Sequence, residues 1–175
     1  DAGAVYLIPG PITDGVFDVE ELAIASIYGE ELDRAGTHVV GGHDLDGDGA
    51  PDLVVGARRA AAHIGNETGA VSLWFGEPRG ELSELDADGF LYGDKRWDRF
   101  GDVTLVSSDV TGDGAADILV GAPYYDPSDT VRNAGAVYIF PGPFSAETLY
   151  ADADAALVLE GEDSEDLVGR FMKTG

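Results

Sequence analysis

The residues with the clearest chemistry are carboxylates at alternate positions of two short stretches. Asp44, Asp46, Asp48 and Asp52 stand in Asp-Leu-Asp-Gly-Asp-Gly-Ala-Pro-Asp, and Asp109, Thr111, Asp113 and Asp117 in Asp-Val-Thr-Gly-Asp-Gly-Ala-Ala-Asp. Hard oxygen ligands at this spacing, closed by one more carboxylate, suit a cation that takes about six to eight oxygens at about 2.3–2.6 Å, which is Ca²⁺. The expected ligands are the side chains at loop positions 1, 3, 5 and 9, the backbone carbonyls of Ala50 and Ala115 at position 7, and water. Glycine at position 6, Gly49 and Gly114, lets the chain turn through a conformation that a Cβ penalises. A single such loop arises by chance on an acidic surface, whereas a pair in the same setting predicts two Ca²⁺ sites.

An EF-hand needs glutamate at loop position 12, but Val55 and Val120 stand there. Dockerin-type loops need a helix after the loop, and thrombospondin-type calcium repeats are threaded with cysteines, of which this chain has none. Each loop instead runs into a short β-branched stretch ended by Gly-Ala, Asp52 to Ala57 and Asp117 to Ala122. The loops are therefore expected in β-hairpins, with incoming strands near Thr37 to Val40 and Val103 to Val106.

Repeats extend the hairpins into an architecture. Ala2-Gly-Ala-Val-Tyr-Leu-Ile-Pro-Gly-Pro11 recurs as Thr68-Gly-Ala-Val-Ser-Leu-Trp-Phe-Gly-Glu77 and as Ala134-Gly-Ala-Val-Tyr-Ile-Phe-Pro-Gly-Pro143. Gly3, Gly69 and Gly135 are 66 residues apart, and Asp44 and Asp109 are 65 apart. A fourth strand is marked by Ile27-Tyr-Gly29, Leu91-Tyr-Gly93 and Leu159-Glu-Gly161, each with a further glycine downstream at Gly36, Gly101 and Gly169. Four antiparallel strands per unit, in tandem, make the all-β blades of a β-propeller.

In these motifs the chain resembles the FG-GAP repeats of integrin α-subunit propellers and their bacterial relatives. Phe100-Gly101 supplies one half of the motif and Gly121-Ala122-Pro123 the other. The neighbouring repeats depart from it with Ala35-Gly36, Val168-Gly169 and Gly56-Ala57-Arg58, while the acidic loop keeps its place between the two halves. The resemblance implies a Ca²⁺-rigidified propeller, typically seven-bladed, with an extracellular binding or adhesion role.

At a step of about 65, 175 residues hold some 2.7 repeats, fewer than the roughly four blades of the smallest closed ring. The expected division is a half blade over 1–35, complete blades over 36–100 and 101–168, and the first strand of a further blade over 169–175. The chain reads as a fragment of a longer one, the alternative being self-association in which copies supply each other's missing blades. Either way Val5, Leu7, Ile24, Ile27, Phe171 and Met172 are expected on faces that a full ring would cover, at edges that template pairing.

Composition narrows the partners. Acidic residues number 34 against 10 basic, for a formal charge of −24, which disfavours nucleic acid and anionic membrane surfaces. Seven acids belong to the loops, and two bound Ca²⁺ would leave −20, so the metal sites do not account for the acidity. The absence of cysteine excludes a disulfide framework and leans toward a bacterial source. No apolar stretch approaches the roughly 18–20 residues of a membrane span.

Other candidates for chemistry are weaker. His38, His43 and His63 are the only histidines, and an oxygen-ligand site has no use for imidazole. Ser107-Ser108 precede Asp109 without a matching histidine. Trp74, Phe75 and Trp97 read as core or blade-packing aromatics, Tyr124-Tyr125-Asp126 as a possible contact loop, and Asn66-Glu-Thr68 as a glycosylation sequon. Leu85-Asp-Ala-Asp88 and Asp152-Ala-Asp154 lack a closing carboxylate and read as solvated turns. Together these point to a non-catalytic Ca²⁺-binding propeller segment of an extracellular or cell-surface adhesion protein with a protein or glycan ligand. The alternative is a propeller appended to a hydrolase such as a phospholipase.

Overall fold

A computed structural model describes residues 1–60, 67–107 and 109–173. Among the described residues the chain is all-β, with 12 strands and only single turns of helix. The first unit supplies β1 (Ala4–Leu7) and β2 (Ala25–Tyr28), paired antiparallel with Val5 opposite Ile27, and between them a four-residue helix, α1 (Val19–Leu22). Asp18 caps that helix by accepting from the Glu20 amide at 3.0 Å. The second blade is a meander of β3 (Ala35–His43), β4 (Asp52–Ala57), β5 (Ala70–Trp74) and, after β6 (Gly80–Ser83), β7 (Gly89–Tyr92). The third repeats it with β8 (Val103–Ser107), β9 (Asp117–Ala122), β10 (Ala136–Phe140), β11 (Thr148–Tyr150), a turn of helix α2 (Ala151–Asp154), and β12 (Leu157–Glu160).

The sheets are not uniformly four-stranded and antiparallel. β6 leaves its own blade and pairs parallel with β2, Ala25 opposite Gly80, and β11 pairs parallel with β7, Thr148 opposite Phe90. The sheets therefore hold three, five and four strands, and the outer edges of the first two are capped by a strand from the next blade. This covers the unpaired backbone groups that an edge strand would otherwise present.

Alternation along the strands divides the core between two blade junctions. Val54, Val71, Leu73 and Leu91 face the third blade and join Phe100, Val106, Ile118, Val120, Tyr138 and Phe140. Their neighbours Leu53, Val55 and Trp74 face the first unit and close on Val5 and Ile27. The inner strands β4, β5 and β10 are buried on both faces, which is why they read as continuous apolar runs. The expectation that Val5 and Ile27 lie uncovered is corrected: one face of the half blade packs on the second blade. Phe171 is exposed, as expected.

The two halves of the glycine motif meet at these junctions. The Gly101 amide donates to the Gly121 carbonyl at 3.1 Å. Gly101 has a left-handed φ of +84°, and a Cβ on Gly56 would fall 2.4 Å from the Gly101 carbonyl oxygen. Backbone of one blade thus rests on backbone of the next, an approach open only to glycine. Arg58, in the place of Pro123, reaches across the same junction to Asp102 at 2.7 Å.

Candidate metal centres

In the first loop, position 1 acts as the scaffold. Asp44 accepts from the Gly47 amide at 2.8 Å and the Gly49 amide at 3.0 Å, Asp46 from Asp48 at 3.0 Å, and Asp48 from Ala50 at 2.6 Å. An ionised carboxylate has about four lone-pair sites, so these bonds fix each group and leave lone pairs for a cation. Gly49 has φ +89° with nothing near its missing Cβ, so conformation and not space demands glycine there. Oxygens of Asp44, Asp46 and Asp48 all lie within 4.8 Å of one another. Two ligands at about 2.4 Å from one Ca²⁺ can be at most about 4.8 Å apart, so this trio fits that ion.

Asp52 stands outside the trio. It is buried, and its two oxygens accept from the Leu45 amide at 2.6 Å and the Gly76 amide at 2.7 Å, tying the loop's end to its start and to the end of β5. Leu45 is 2% exposed, and its carbonyl accepts from the Phe144 amide at 2.8 Å. The loop is thus anchored from the third blade.

The second loop repeats the scaffold and loosens the rest. Asp109 accepts from the Gly112, Asp113 and Gly114 amides at 2.6, 3.1 and 3.0 Å, and Asp113 from Ala115 at 2.8 Å. Asp117 accepts from Val110 and Thr111 amides at 2.5 and 2.7 Å, and the Thr111 hydroxyl donates to it at 3.2 Å. Thr111 is therefore turned toward Asp117, and Val110, the counterpart of Leu45, is 49% exposed. Of the ten expected ligands, Asp44, Asp46 and Asp48 form one carboxylate group close enough to share an ion. With more charge and a firmer anchor, the first loop should bind the tighter ion. In titration calorimetry Asp113→Ala, which keeps the first loop, should show a lower Kd than Asp48→Ala, and the reverse order would mean that neither charge nor anchoring sets affinity.

Other side chains take places the sequence does not disclose. Tyr125 is 6% exposed, its hydroxyl donating to Glu160 at 2.9 Å and accepting from Lys95 at 3.3 Å, so it is core and not a contact residue. Trp97 is the reverse, 51% exposed with the Arg96 guanidinium 4.7 Å from its ring. Asp154 accepts from the Tyr150 amide at the start of α2, and Asp88 reaches across to accept from the Phe75 amide just past β5. Two buried acids carry no motif that would mark them in the sequence. Burial pushes Glu84 up to about 7, aided by Asp33 and opposed by the Ser72 hydroxyl. Burial pushes Asp98 up to about 7 against the pull of Lys95. His63, Ser108 and Asn66 lie outside the described residues. Among the described residues no helix is long and apolar enough to cross a membrane.

The fold and loops define a partial β-propeller built on acidic hairpin loops, and comparison with known proteins agrees. The FG-GAP repeat family model matches residues 35–74 and 100–140. The chain is 29% identical over 171 residues to phosphatidylinositol-glycan-specific phospholipase D of Bos taurus, covering 92% of this chain and 19% of that protein. It is 36% identical over 121 residues to integrin alpha-IIb of Mus musculus, covering 66% of this chain and 11% of that protein. To human integrin alpha-X it is 39% identical over 103 residues, 57% of this chain and 8% of that protein. The chain thus spans less than a fifth of the length of these relatives. Residues 35–74 and 100–140 carry FG-GAP repeats, and in this region the chain is similar to integrin α subunits.

Proposed function

We propose that this chain is a non-catalytic Ca²⁺-binding propeller segment of an extracellular or cell-surface adhesion or binding protein. The observation that carries the reading is the Asp44, Asp46 and Asp48 group, held by its own loop amides and repeated in outline by Asp109 and Asp113. Ca²⁺ in two such loops would stiffen the ends of both complete blades. The similarity to integrin α subunits supports the surface location.

The ligand-contact face is proposed at the opposite strand ends, where antiparallel pairing places the β4–β5 and β7–β8 connections. There a cleft of about 230 Å³ is lined by Arg34, Arg58, Arg59, Glu67, Trp97 and Arg99. In a chain of 10 basic residues this gathers four arginines beside an exposed indole, which suits an acidic protein segment or an anionic glycan. Nucleic acid and bilayer insertion form no part of the reading. The outer edge of β12, with Leu157 and Leu159 exposed, is open to the kind of parallel strand that β6 and β11 add elsewhere, from a further blade or a second copy.

The second reading, a propeller appended to a hydrolase, draws on the 92% of this chain that aligns with the phospholipase D. Glycan and matrix-protein arrays probed in Ca²⁺ and in EDTA test the first reading. Expected is binding that needs Ca²⁺ and is lost in Trp97→Ala without loss of folding. Equal binding in EDTA, or hydrolysis of a phosphatidylinositol-glycan by the chain itself, would overturn the proposal.

A further inference from the structure

The junctions before the second and third blades are built on one plan, and one of them has been emptied. Left-handed backbone at Leu32 and Arg34, φ 79° and 59°, recurs at Trp97 and Arg99, φ 72° and 57°. This aligns Asp33 with Asp98 and Glu30 with Lys95. Ala60 aligns with Tyr125, since their amides donate to Ala57 and Ala122 in the same turn at 3.0 and 3.1 Å. Ser72 aligns with Tyr138, because they lie opposite Val55 and Val120 in their hairpins.

At the second junction the space is full. Tyr125 and Tyr138 are both buried there, and no room for a water molecule remains. A built-in ammonium completes it: Lys95 Nζ lies 3.6 Å from Asp152 and 3.3 Å from the Tyr125 hydroxyl. At the first junction alanine and serine replace both tyrosines and glutamate replaces the lysine. A cleft of about 360 Å³ results, lined by Glu30, Glu31, Asp33, Glu84, Phe90 and Tyr92 among others. Glu84 is 4% exposed and faces this cleft, and among the described residues its Oε2 has no hydrogen-bond partner. Its Oε1 accepts from Ser72 Oγ at 3.3 Å.

We infer that the cleft before the second blade is a binding site for an alkylammonium group, which takes the place that the Lys95 ammonium fills one blade later. A buried carboxylate oxygen without a partner is costly and calls for a donor. The stacked rings of Phe90 and Tyr92, 5.4 Å apart, give the stem an apolar wall and the cation a π-face. Ca²⁺ fits less well, because Asp44, Asp46 and Asp48 are the only carboxylate trio within 4.8 Å among the described residues, and the cleft's acids are not so gathered. Among the described residues, Glu30, Glu31 and Asp33 on the β2–β3 connection, with Tyr92 on β7, are the titratable groups that line the cleft with Glu84. Glu84, held near 7 by burial and by Asp33, would ionise fully only above neutrality or on meeting the cation.

The test is ¹H–¹⁵N NMR with n-butylammonium chloride, Ca²⁺ being present throughout so that the outcome is independent of the metal loops. Expected are saturable shifts at the Asp33, Phe90 and Tyr92 amides, weakening at least about tenfold between about pH 8 and about pH 6 as Glu84 takes up its proton. Glu84→Gln should weaken binding by about tenfold or more. Glu30→Lys, which supplies an internal ammonium, and Ala60→Tyr, which refills the space, should each abolish it. Nα-acetyl-lysine amide binding as well as butylammonium would assign the natural group to a polypeptide side chain, and butylammonium alone to a small amine. Absence of saturable shifts at these residues, or undiminished binding in folded Glu30→Lys or Ala60→Tyr, would overturn the site.

Discussion

Replacing Phe100 by alanine is expected to remove about 3–5 kcal/mol of stability, the usual range for a buried phenylalanine. The side chain is 1% exposed and lies edge-on to Tyr138 at 5.6 Å and to Phe140 at 6.1 Å between ring centroids. Its backbone neighbours cannot close in, because Gly101 already rests on β5 and the Phe100 amide donates to Thr68 at 3.2 Å. The void should therefore persist and carry its full cost. At roughly 2–4 °C per kcal/mol for a chain of this size, the melting temperature should fall by about 6–20 °C. Trp97→Ala, at an exposed aromatic in the same loop, should shift stability by no more than about 0.5 kcal/mol. If urea titration gave Phe100→Ala a loss below about 1.5 kcal/mol, the two blades would be coupled by something other than this ring.

The loops and the strand order are legible in the sequence because both rest on short-range rules. A hairpin loop of alternating carboxylates and a Gly-Ala stop need only local backbone chemistry, and a 65- or 66-residue step repeats that chemistry along the chain. Features that depend on the partner surface are less legible. β6 and β11 are four- and three-residue strands without alternation, and nothing in Gly-Glu-Leu-Ser or Thr-Leu-Tyr says that they pair with the preceding blade. Position 9 of each loop reads as a ligand by spacing, and its part in anchoring the loop does not show there. Asp52 and Asp117 are held by amides of their own loops, and in Asp52 also by Gly76, a contact 24 residues away that spacing does not contain. Tyr125 and Trp97 exchange roles for a similar reason: Lys95 and Glu160 satisfy the Tyr125 hydroxyl inside a junction, and left-handed backbone at residue 97 turns the indole outward. The cleft at Glu84 is visible only when the repeats are aligned position by position, since Ala60 and Ser72 stand where Tyr125 and Tyr138 do one blade later.

Melting in Ca²⁺ against melting in EDTA is the measurement on which the metal assignment stands. Without an ion, the three carboxylates of the first loop share a space of 4.8 Å and repel one another, restrained only by loop amides. Sites of extracellular modules bind Ca²⁺ at about 10⁻⁴–10⁻³ M, and a roughly tenfold excess over Kd adds about 1.4 kcal/mol per site by mass action. Two sites then add about 2.8 kcal/mol, a rise of roughly 6–11 °C. Mg²⁺ should reproduce little of it, because it demands near-octahedral ligands at about 2.0–2.1 Å and gives up water reluctantly. Asp48→Ala should remove about half the rise or more. The gain also has a route into the fold: the Leu45 carbonyl, one residue past Asp44, accepts from Phe144 in the third blade, so ordering the first loop orders the junction behind it. Hydrogen exchange at the Phe144 amide should accordingly slow on adding Ca²⁺, and slow less in Asp48→Ala. Superimposable melts in EDTA and Ca²⁺ would mean that these loops are acidic turns closed by their own amides, and the metal reading would fall with them.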